Sequence, residues 1–217
     1  MTNVIKVASV VFIVSASFLA CTSDKKAKES ADGSIAITQS DSKTSPVDTL
    51  KKFKDQDWLL IPGKSAGKTT LNEDAEEVYK RLGKPDGGDA AMGKSIALWY
   101  SNHDSTLHSV SIYTVRDMGN DPKALVAQIR ITSPLFKTKE GIHTTSTLDT
   151  IMKEFQVQKT EGYKDAGKDY TVYDSKSGIS FEMDGKETCV AIIIHKAGQI
   201  GNGTYLKFRT TNKFITR

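Results

Sequence analysis

Two segments of the chain, 70–82 and 146–155, space their apolar residues so that they fall on one side of a helix. The first segment opens with the capping-box pattern Thr70-Leu71-Asn72-Glu73 and is followed by Gly83 and Pro85, which commonly end helices. This spacing predicts one helix in each segment. The apolar positions are Leu71, Ala75, Val78 and Leu82 in the first and Leu148, Ile151, Met152 and Phe155 in the second.

Other segments alternate apolar and polar residues with a period of two, which is the pattern of a half-buried strand. Turn-forming residues separate them, including the segments 117–122, Ser175–Gly178 and Asp184-Gly185. The pattern predicts three antiparallel strands after each helix. The predicted strands are 95–101, 108–115, 124–132, 169–174, 179–183 and 188–195.

The order of a helix followed by three strands therefore occurs twice. Val78 and Leu82 precede Ile151 and Phe155 by the same interval of 73 residues. The sequence predicts an α+β fold made of a duplicated helix-plus-three-stranded-antiparallel-meander unit, with the helices on one face of the sheet. The two repeats span about 63–134 and 141–200, and a C-terminal extension follows them.

The N-terminal residues 1–21 have the features of an export signal. Lys6 lies in a short polar start, and the apolar run that follows is about 14 residues long, shorter than the roughly 20 that span a bilayer. Phe18-Leu19-Ala20-Cys21 resembles the lipobox of bacterial lipoproteins, with Phe18 where the family prefers Leu. This resemblance implies a signal peptide at 1–20 and a membrane anchor at Cys21, through acyl chains such as palmitate.

The segment 21–55 is rich in Ser, Lys, Asp and Thr and has few large apolar residues, so it cannot bury enough surface to fold. As a flexible tether of this length it would reach roughly 30 Å. The sequence therefore predicts one folded domain at 56–217, held away from the membrane by the tether. If Cys21 is acylated, Cys189 is the one thiol left, and its apolar neighbours predict a buried position in a strand.

The charge of the chain does not favour a nucleic-acid partner. Lys and Arg number 30 and Asp and Glu number 26, which gives a formal net charge of +4. Basic and acidic residues are interleaved, as in Lys51-Lys52-Phe53-Lys54-Asp55. Phosphate binding requires a basic stripe on one side of the protein, so no nucleic-acid binding is expected.

The sequence contains no clear pattern for catalysis, metal binding or nucleotide binding. The segment Gly63–Thr69 resembles a P-loop but has three residues between its glycines instead of four. No histidine has the i, i+3 or i, i+4 partner of a helical metal site, and no Gly-x-Ser-x-Gly elbow occurs. We therefore expect a protein that is not an enzyme and that uses no cofactor, metal or nucleotide. The histidines are His103, His108, His143 and His195.

A second family resemblance concerns the folded domain. The first predicted helix is followed by Gly83-Lys84-Pro85-Asp86 and the predicted strand Ala97-Leu98-Trp99-Tyr100. This order resembles the small lipoprotein of the outer-membrane barrel-assembly machinery, and a tandem pair of such units is similar to the β-lactamase-inhibitor-protein fold. The second unit departs from the pattern, since it reads Gln156-Val157-Gln158 where Gly-x-Pro would be expected. The resemblance implies a concave sheet that presents one face to a protein.

The alternation of the predicted strands selects a candidate binding surface. If the apolar positions face the helices, a second set of residues projects from the opposite face of the sheet. This set includes Trp, Tyr and Arg, the residue types enriched at interface hot spots. The candidate binding residues are Trp99, Tyr113, Gln128, Arg130, Tyr173, Glu182 and His195.

These observations favour a lipid-anchored cell-envelope protein that acts as a non-catalytic protein-binding or assembly module. Its partners would be an envelope protein and, through the N-terminal lipid, the membrane. Thr22 stands where an Asp retains some lipoproteins in the inner membrane, so the outer membrane is favoured. The alternative is an inhibitor or small-ligand-binding lipoprotein with a pocket between the repeats.

Overall fold

The computed structural model describes residues 56–201 and 206–208. The predicted signal peptide at 1–20, the lipid attachment site Cys21 and the tether at 21–55 lie outside the described residues, as does most of the predicted C-terminal extension. Among the residues described, none of the helices is both long enough and apolar enough to span a membrane.

Twelve strands and two α-helices make up the described part of the chain. The elements are β1 Leu59–Ile61, β2 Ser65–Ala66, β3 Thr69–Thr70, α1 Ala75–Leu82, β4 Gly87–Ala91, β5 Lys94–Tyr100, β6 Ser109–Arg116, β7 Ala124–Ile131, β8 Lys137–Thr138, α2 Leu148–Glu154, β9 Gln158–Asp165, β10 Lys168–Ser175, β11 Ile179–Asp184 and β12 Cys189–His195. A short 3-10 turn, Ser101–His103, follows β5.

Eight strands form the large sheet, in the order β4-β5-β6-β7-β12-β11-β10-β9. All neighbouring strands in it are antiparallel, so two four-stranded meanders meet where β7 pairs with β12. The strand β12 contains the run Val190–Ile194, whose apolar residues occupy both faces, and such a strand is stable only at the centre of a sheet. The remaining strands form a small sheet, β3-β2-β1-β8, in which β1 and β8 are parallel.

The hydrophobic core lies on the side of the large sheet that the helices cover. Val78 of α1 and Ile151 of α2 are buried there. Tyr79 of α1 packs against Trp99 of β5, and Phe155, which ends α2, packs against Phe181 of β11. The largest fully buried side chains are Leu60, Ile112, Ile129, Ile131, Ile142, Ile151, Ile179, Phe181, Met183, Ile192, Ile193 and Ile194.

The helix α1 begins four residues later than its capping-box pattern suggests. Its N-cap is Asp74, whose side chain accepts a hydrogen bond from the N–H of Glu76. Glu73 still accepts a hydrogen bond from the backbone N–H of Thr70, and its carboxylate also binds both Nη atoms of Arg81, at 2.6 and 3.0 Å. The acidic residue of the pattern therefore anchors the segment before the helix to its last turn.

This anchor makes part of the stability depend on pH. Partial burial alone would raise the pKa of Glu73, but the hydrogen bonds from Arg81 and Thr70 and the charge of Arg81 outweigh it and hold the pKa below its ordinary value of 4.5. A carboxyl whose folded-state pKa is lowered contributes stability above its unfolded pKa and loses it as the pH falls through the folded pKa. The contribution of Glu73 therefore disappears below pH 4.5.

Replacing Glu73 with Gln is expected to lower the free energy of unfolding at neutral pH, and the difference from the wild type should shrink as the pH falls below 4.5. Urea unfolding at a series of pH values measures it. Glu76→Gln, at an exposed position of the same helix, is the control and should show a smaller effect. A Glu73→Gln effect that stays constant into acid would contradict this account.

The predicted α+β class is wrong. Strands make up 46% of the described residues and helices 13%, so this part of the protein is mostly β. The predicted repeats, 63–134 and 141–200, each a helix with a three-stranded meander, are wrong as well, because each meander has four strands and the two join in one sheet. Both helices are short, with eight and seven residues, and the edge strands β4 and β9 carry no apolar alternation that would have predicted them.

Candidate functional site

The face of the large sheet opposite the helices carries a cluster of polar residues. Directly paired residues project on the same side of a sheet. Tyr113 pairs with Gln128, Gln128 pairs with His195, and the guanidinium of Arg130 reaches Glu182 on β11. We call this surface the polar face. Its members are Ser111, Tyr113, Gln128, Arg130, Tyr163, Asp174, Ser180, Glu182 and His195.

The structure therefore places five of the seven candidate binding residues on one face: Tyr113, Gln128, Arg130, Glu182 and His195. All five are buried, with exposed fractions between 1% for His195 and 8% for Gln128. The accessible part of the polar face is its rim, where Tyr163 and Tyr170 stack with ring centroids 5.2 Å apart. A partner would first meet this rim.

A buried ion pair connects the two meanders across the polar face. Arg130 Nε and Nη2 donate to the two carboxylate oxygens of Glu182 at 2.8 and 2.9 Å, and the Tyr163 hydroxyl donates to Glu182 Oε2 at 2.8 Å. This two-pronged geometry is the strong form of an Arg–carboxylate contact. Because both side chains are buried, the pair is little screened by solvent.

A second polar group lies beside it. Ser180 Oγ donates to Asp174 Oδ1 at 2.6 Å, and the backbone N–H of Gly201 donates to the same oxygen at 3.1 Å. His195 Nε2 is 3.0 Å from Asp174 Oδ1, within ion-pair range, but the ring N–H is not aligned with the oxygen, so Nε2 makes no hydrogen bond. Asp174 is thus the acceptor that holds this group together.

Among the residues that the structure describes, three buried polar atoms of the polar face have no hydrogen-bond partner: Ser111 Oγ, Gln128 Oε1 and His195 Nε2. They lie on the neighbouring strands β6, β7 and β12, where the two meanders meet. Buried polar groups are nearly always paired in folded proteins, and an unpaired one costs about 1–3 kcal/mol. These atoms are therefore the part of the face with unused capacity for a ligand.

Residues near the C-terminus lie on the same face. Phe208 packs against the Tyr113 ring at an interplanar angle of 72°, and Lys207 Nζ is 3.7 Å from Glu161 Oε1 on β9. A Cβ added to Gly201 would lie 2.2 Å from Ser180 Oγ, so the backbone at Gly201 approaches the face as closely as a glycine allows. The polar face thus binds the backbone at Gly201 and the side chains of Lys207 and Phe208.

Trp99 is not on this face, so its predicted position is wrong. Its ring packs in the core against Tyr79 of α1, and its Nε1 donates to the backbone oxygen of Gly83 at 3.0 Å. All residues of the segment Ala97–Tyr100 are apolar or aromatic, so alternation gives no way to decide which of them point inward. Trp99 is a structural residue that links β5 to the end of α1.

The prediction for Tyr173 is also wrong. Tyr173 pairs directly with Phe181, which packs against Phe155 on the helix side, so its ring faces the core. The turn between β10 and β11 contains three residues, Lys176–Gly178, because Ser175 pairs with Ile179. The sequence predicted a turn of four residues that also included Ser175. A turn that differs by one residue in length shifts the pairing of the strands by one residue, and this shift moves Tyr173 to the other face of the sheet.

Four members of the polar face were missed by sequence reasoning: Ser111, Tyr163, Asp174 and Ser180. Tyr163 lies on β9, which was not predicted as a strand. Asp174 and Ser180 lie on predicted strands, and the correct turn length would have placed both beside His195. A hydroxyl and a carboxylate at directly opposed strand positions were the available signal.

The chemistry of the polar face is that of hydrogen bonding and ion pairing. Ser180 donates to Asp174 and makes no hydrogen bond to His195, so the three do not form the Ser–His relay of a hydrolase. The thiol of Cys189 is buried in the core, and burial raises its pKa, which disfavours the reactive thiolate. The described residues include no group of three or more His, Cys, Asp or Glu that could hold a metal ion.

A shallow open cleft of about 260 Å³ lies elsewhere, beside the end of the β6–β7 hairpin. Val115 and Leu125 line it on the strands, and Asp117, Asp121 and Lys123 line it on the connecting loop. The cleft therefore lies at the loop end of the β6–β7 hairpin. The alternative prediction, a small-ligand-binding lipoprotein, expected a pocket between the repeats, where β7 pairs with β12.

Comparison of the chain with protein-family models, with curated proteins and with solved structures finds no match. The expected kinship with the small barrel-assembly lipoprotein and with the β-lactamase-inhibitor-protein fold therefore stays a prediction from the sequence pattern.

Proposed function

We propose that this protein is a lipid-anchored component of the bacterial cell envelope, at the outer membrane, that binds a protein partner without catalysing a reaction. The polar face is the proposed binding surface, and its ligand is an extended segment of the partner chain. The observation that carries the proposal is that the chain's own C-terminal residues already bind there: the Gly201 N–H donates to Asp174, and the side chains of Lys207 and Phe208 contact Glu161 and Tyr113.

The described contacts of Gly201, Lys207 and Phe208 with the polar face are of three kinds. One is a backbone hydrogen bond, one is an ion pair whose lysine is 45% exposed, and one is an edge-to-face ring contact. Among the described residues, none bonds to Ser111 Oγ, Gln128 Oε1 or His195 Nε2. A partner segment that offers hydrogen-bond groups to these three atoms would add bonds that the described C-terminal residues do not make.

The buried Arg130–Glu182 ion pair of the polar face differs from the charged groups of an enzyme active site. The strongest contact, between Arg130 and Glu182, uses both carboxylate oxygens on a protein side chain. Such a pair sets shape and specificity, while a catalytic carboxylate must be free to exchange a proton with a substrate. This supports a binding function over a hydrolytic one.

Photo-cross-linking in living cells tests the proposal. The photoreactive residue p-benzoylphenylalanine would replace Tyr170 at the rim of the polar face and, as the matched control, Met152, which is 57% exposed on α2 at the helix side. We expect a discrete cross-linked protein product from position 170 that position 152 does not give. Phe208→Ala should increase the yield at position 170, because it removes the ring contact with Tyr113.

Equal cross-linking from both positions would contradict the choice of the polar face. The absence of any protein product from position 170, with binding of a small metabolite to the purified chain, would instead favour the alternative of a small-ligand-binding lipoprotein. A yield that Phe208→Ala does not change would contradict the idea that the partner takes the place of the C-terminal residues.

A further inference from the structure

The two edge strands of the large sheet are protected to different degrees. At one edge, β9 carries Lys159 and Lys164, and a bulge interrupts its pairing with β10. Lysines and bulges at an edge are the usual means by which proteins prevent another strand from adding to a sheet. At the other edge, β4 has the sequence Gly-Gly-Asp-Ala-Ala, with no lysine, no proline and an unbroken register against β5.

The backbone of β4 has hydrogen-bonding groups on its free side. The N–H of Ala90 is not used by β5; it donates to the side chain of Asp89 at 2.8 Å. Along an antiparallel strand, residues whose N–H and C=O bond to the neighbouring strand alternate with residues whose N–H and C=O point away from it. Gly88 is two residues from Ala90, so its N–H and C=O also point away from β5. Gly88, Asp89 and Ala90 are all exposed.

Asp89 gives this edge a charge preference. The strand β4 of a second copy of this chain could also pair with this edge. If the pairing used the outward backbone groups of both Gly88 and Ala90, Gly88 would lie opposite Ala90 and Asp89 opposite Asp89. Like charges directly opposed across two strands are destabilising. A strand with Lys or Arg opposite Asp89 is favoured for the same reason, so the fitting occupant is a segment of a different protein.

An apolar patch continues this edge. Met92, in the turn after β4, is 69% exposed, and Met118 is 65% exposed. The Met118 side chain lies against Gly93, where an added Cβ would be 2.7 Å from Met118 Cγ. Exposed methionines adapt to many apolar partners. An added strand that runs past Ala91 would place its next side chain at this patch.

We propose that β4 is a docking edge to which a partner protein adds an extended strand with a basic residue opposite Asp89 and an apolar residue at Met92 and Met118. The backbone groups of Gly88 and Ala90 supply the hydrogen bonds, and Asp89 and the two methionines supply the selectivity. Asp89 projects on the same side of the sheet as Tyr113, with Ile96 between them. The docking edge shares no residue with the polar face, and the proposal does not depend on the function proposed for that face.

Two synthetic peptides test the proposal by fluorescence anisotropy with the purified full chain. Their sequences are Thr-Val-Thr-Lys-Thr-Val-Leu and the same peptide with Glu at the centre. The wild type should bind the Lys peptide about fivefold to tenfold more tightly than the Glu peptide, the difference expected between an attractive and a repulsive cross-strand pair. Asp89→Lys should reverse this preference.

Asp169→Lys is the matched control, since Asp169 is an exposed carboxylate at the other end of the same sheet. It should leave the preference of the wild type unchanged. Ala90→Pro, which removes the outward N–H together with its hydrogen bond to Asp89, should weaken the binding of both peptides while the circular dichroism stays that of the wild type. Binding of neither peptide, or a reversal by Asp169→Lys as large as that by Asp89→Lys, would overturn the proposal.

Discussion

Replacing Arg130 with Met is expected to lower the free energy of unfolding by about 3–5 kcal/mol, because it leaves the buried carboxylate of Glu182 without its cationic partner. The two side chains are 7% and 6% exposed, so water cannot replace the lost guanidinium. The hydroxyl of Tyr163 still donates to Glu182, but a neutral hydrogen bond does not replace the bidentate guanidinium. Urea unfolding followed by circular dichroism measures the change.

Two further variants separate the burial of the pair from the pairing itself. Lys164→Met breaks the exposed ion pair with Asp169, whose side chains are 66% and 76% exposed, and should cost less than about 1 kcal/mol. Arg130→Met combined with Glu182→Leu removes both buried charges and should recover much of the lost stability. If Arg130→Met costs no more than Lys164→Met, the ion pair does not join the two meanders as described.

The strands that form the centre of the large sheet could be predicted from the sequence. In β6, β11 and β12, apolar residues recur on the side that packs against the helices, and the predicted segments agree with the strands within a few residues. The edge strands β4 and β9 were not predictable in this way. The three central residues of β4 are all exposed. The half-buried positions of β9 are Glu161, Tyr163 and Asp165, and two of these are charged, so the sequence shows no alternation of apolar and polar residues there.

The position of a side chain on one face or the other could be predicted only where a polar residue alternates with apolar ones. Gln128 and Arg130 flank Ile129, so their common face follows from the sequence. Trp99 stands in an all-apolar segment, and Tyr173 depends on the length of a turn. In both cases a shift of one residue decides the face, and the local pattern contains no such information.

The burial of the polar face could not be predicted at all. A polar residue in an alternating strand predicts a solvated position, because isolated charges are costly to bury. Arg130 and Glu182 avoid that cost by pairing, although they are 52 residues apart in the chain. Only the pairing of β7 with β12 and of β12 with β11 brings them together, and this is a property of the sheet topology.

Replacing Cys21 with Ser is expected to abolish lipid attachment and to move the protein from the membrane fraction to the soluble fraction. The lipobox resemblance of Phe18-Leu19-Ala20-Cys21 implies an anchor on this one sulfur. A pair of acyl chains contributes about 0.8 kcal/mol for each buried CH₂, so its loss removes the whole of the anchoring energy. Incorporation of labelled palmitate and fractionation of the cells by ultracentrifugation measure the two effects.

Cys189→Ser is the matched control for the sulfur. Because Cys189 is buried in the core, this variant is expected to keep the palmitate label and the membrane location.

A second chain, in which residues 1–21 are exchanged for an ordinary cleavable secretory signal, tests anchoring without depending on how the Cys21→Ser precursor is processed. If that chain still sediments with washed membranes, the anchor is not at Cys21. If it is soluble and still cross-links from position 170, partner binding is a property of the folded domain, and the lipid serves only to bring the polar face near its partner.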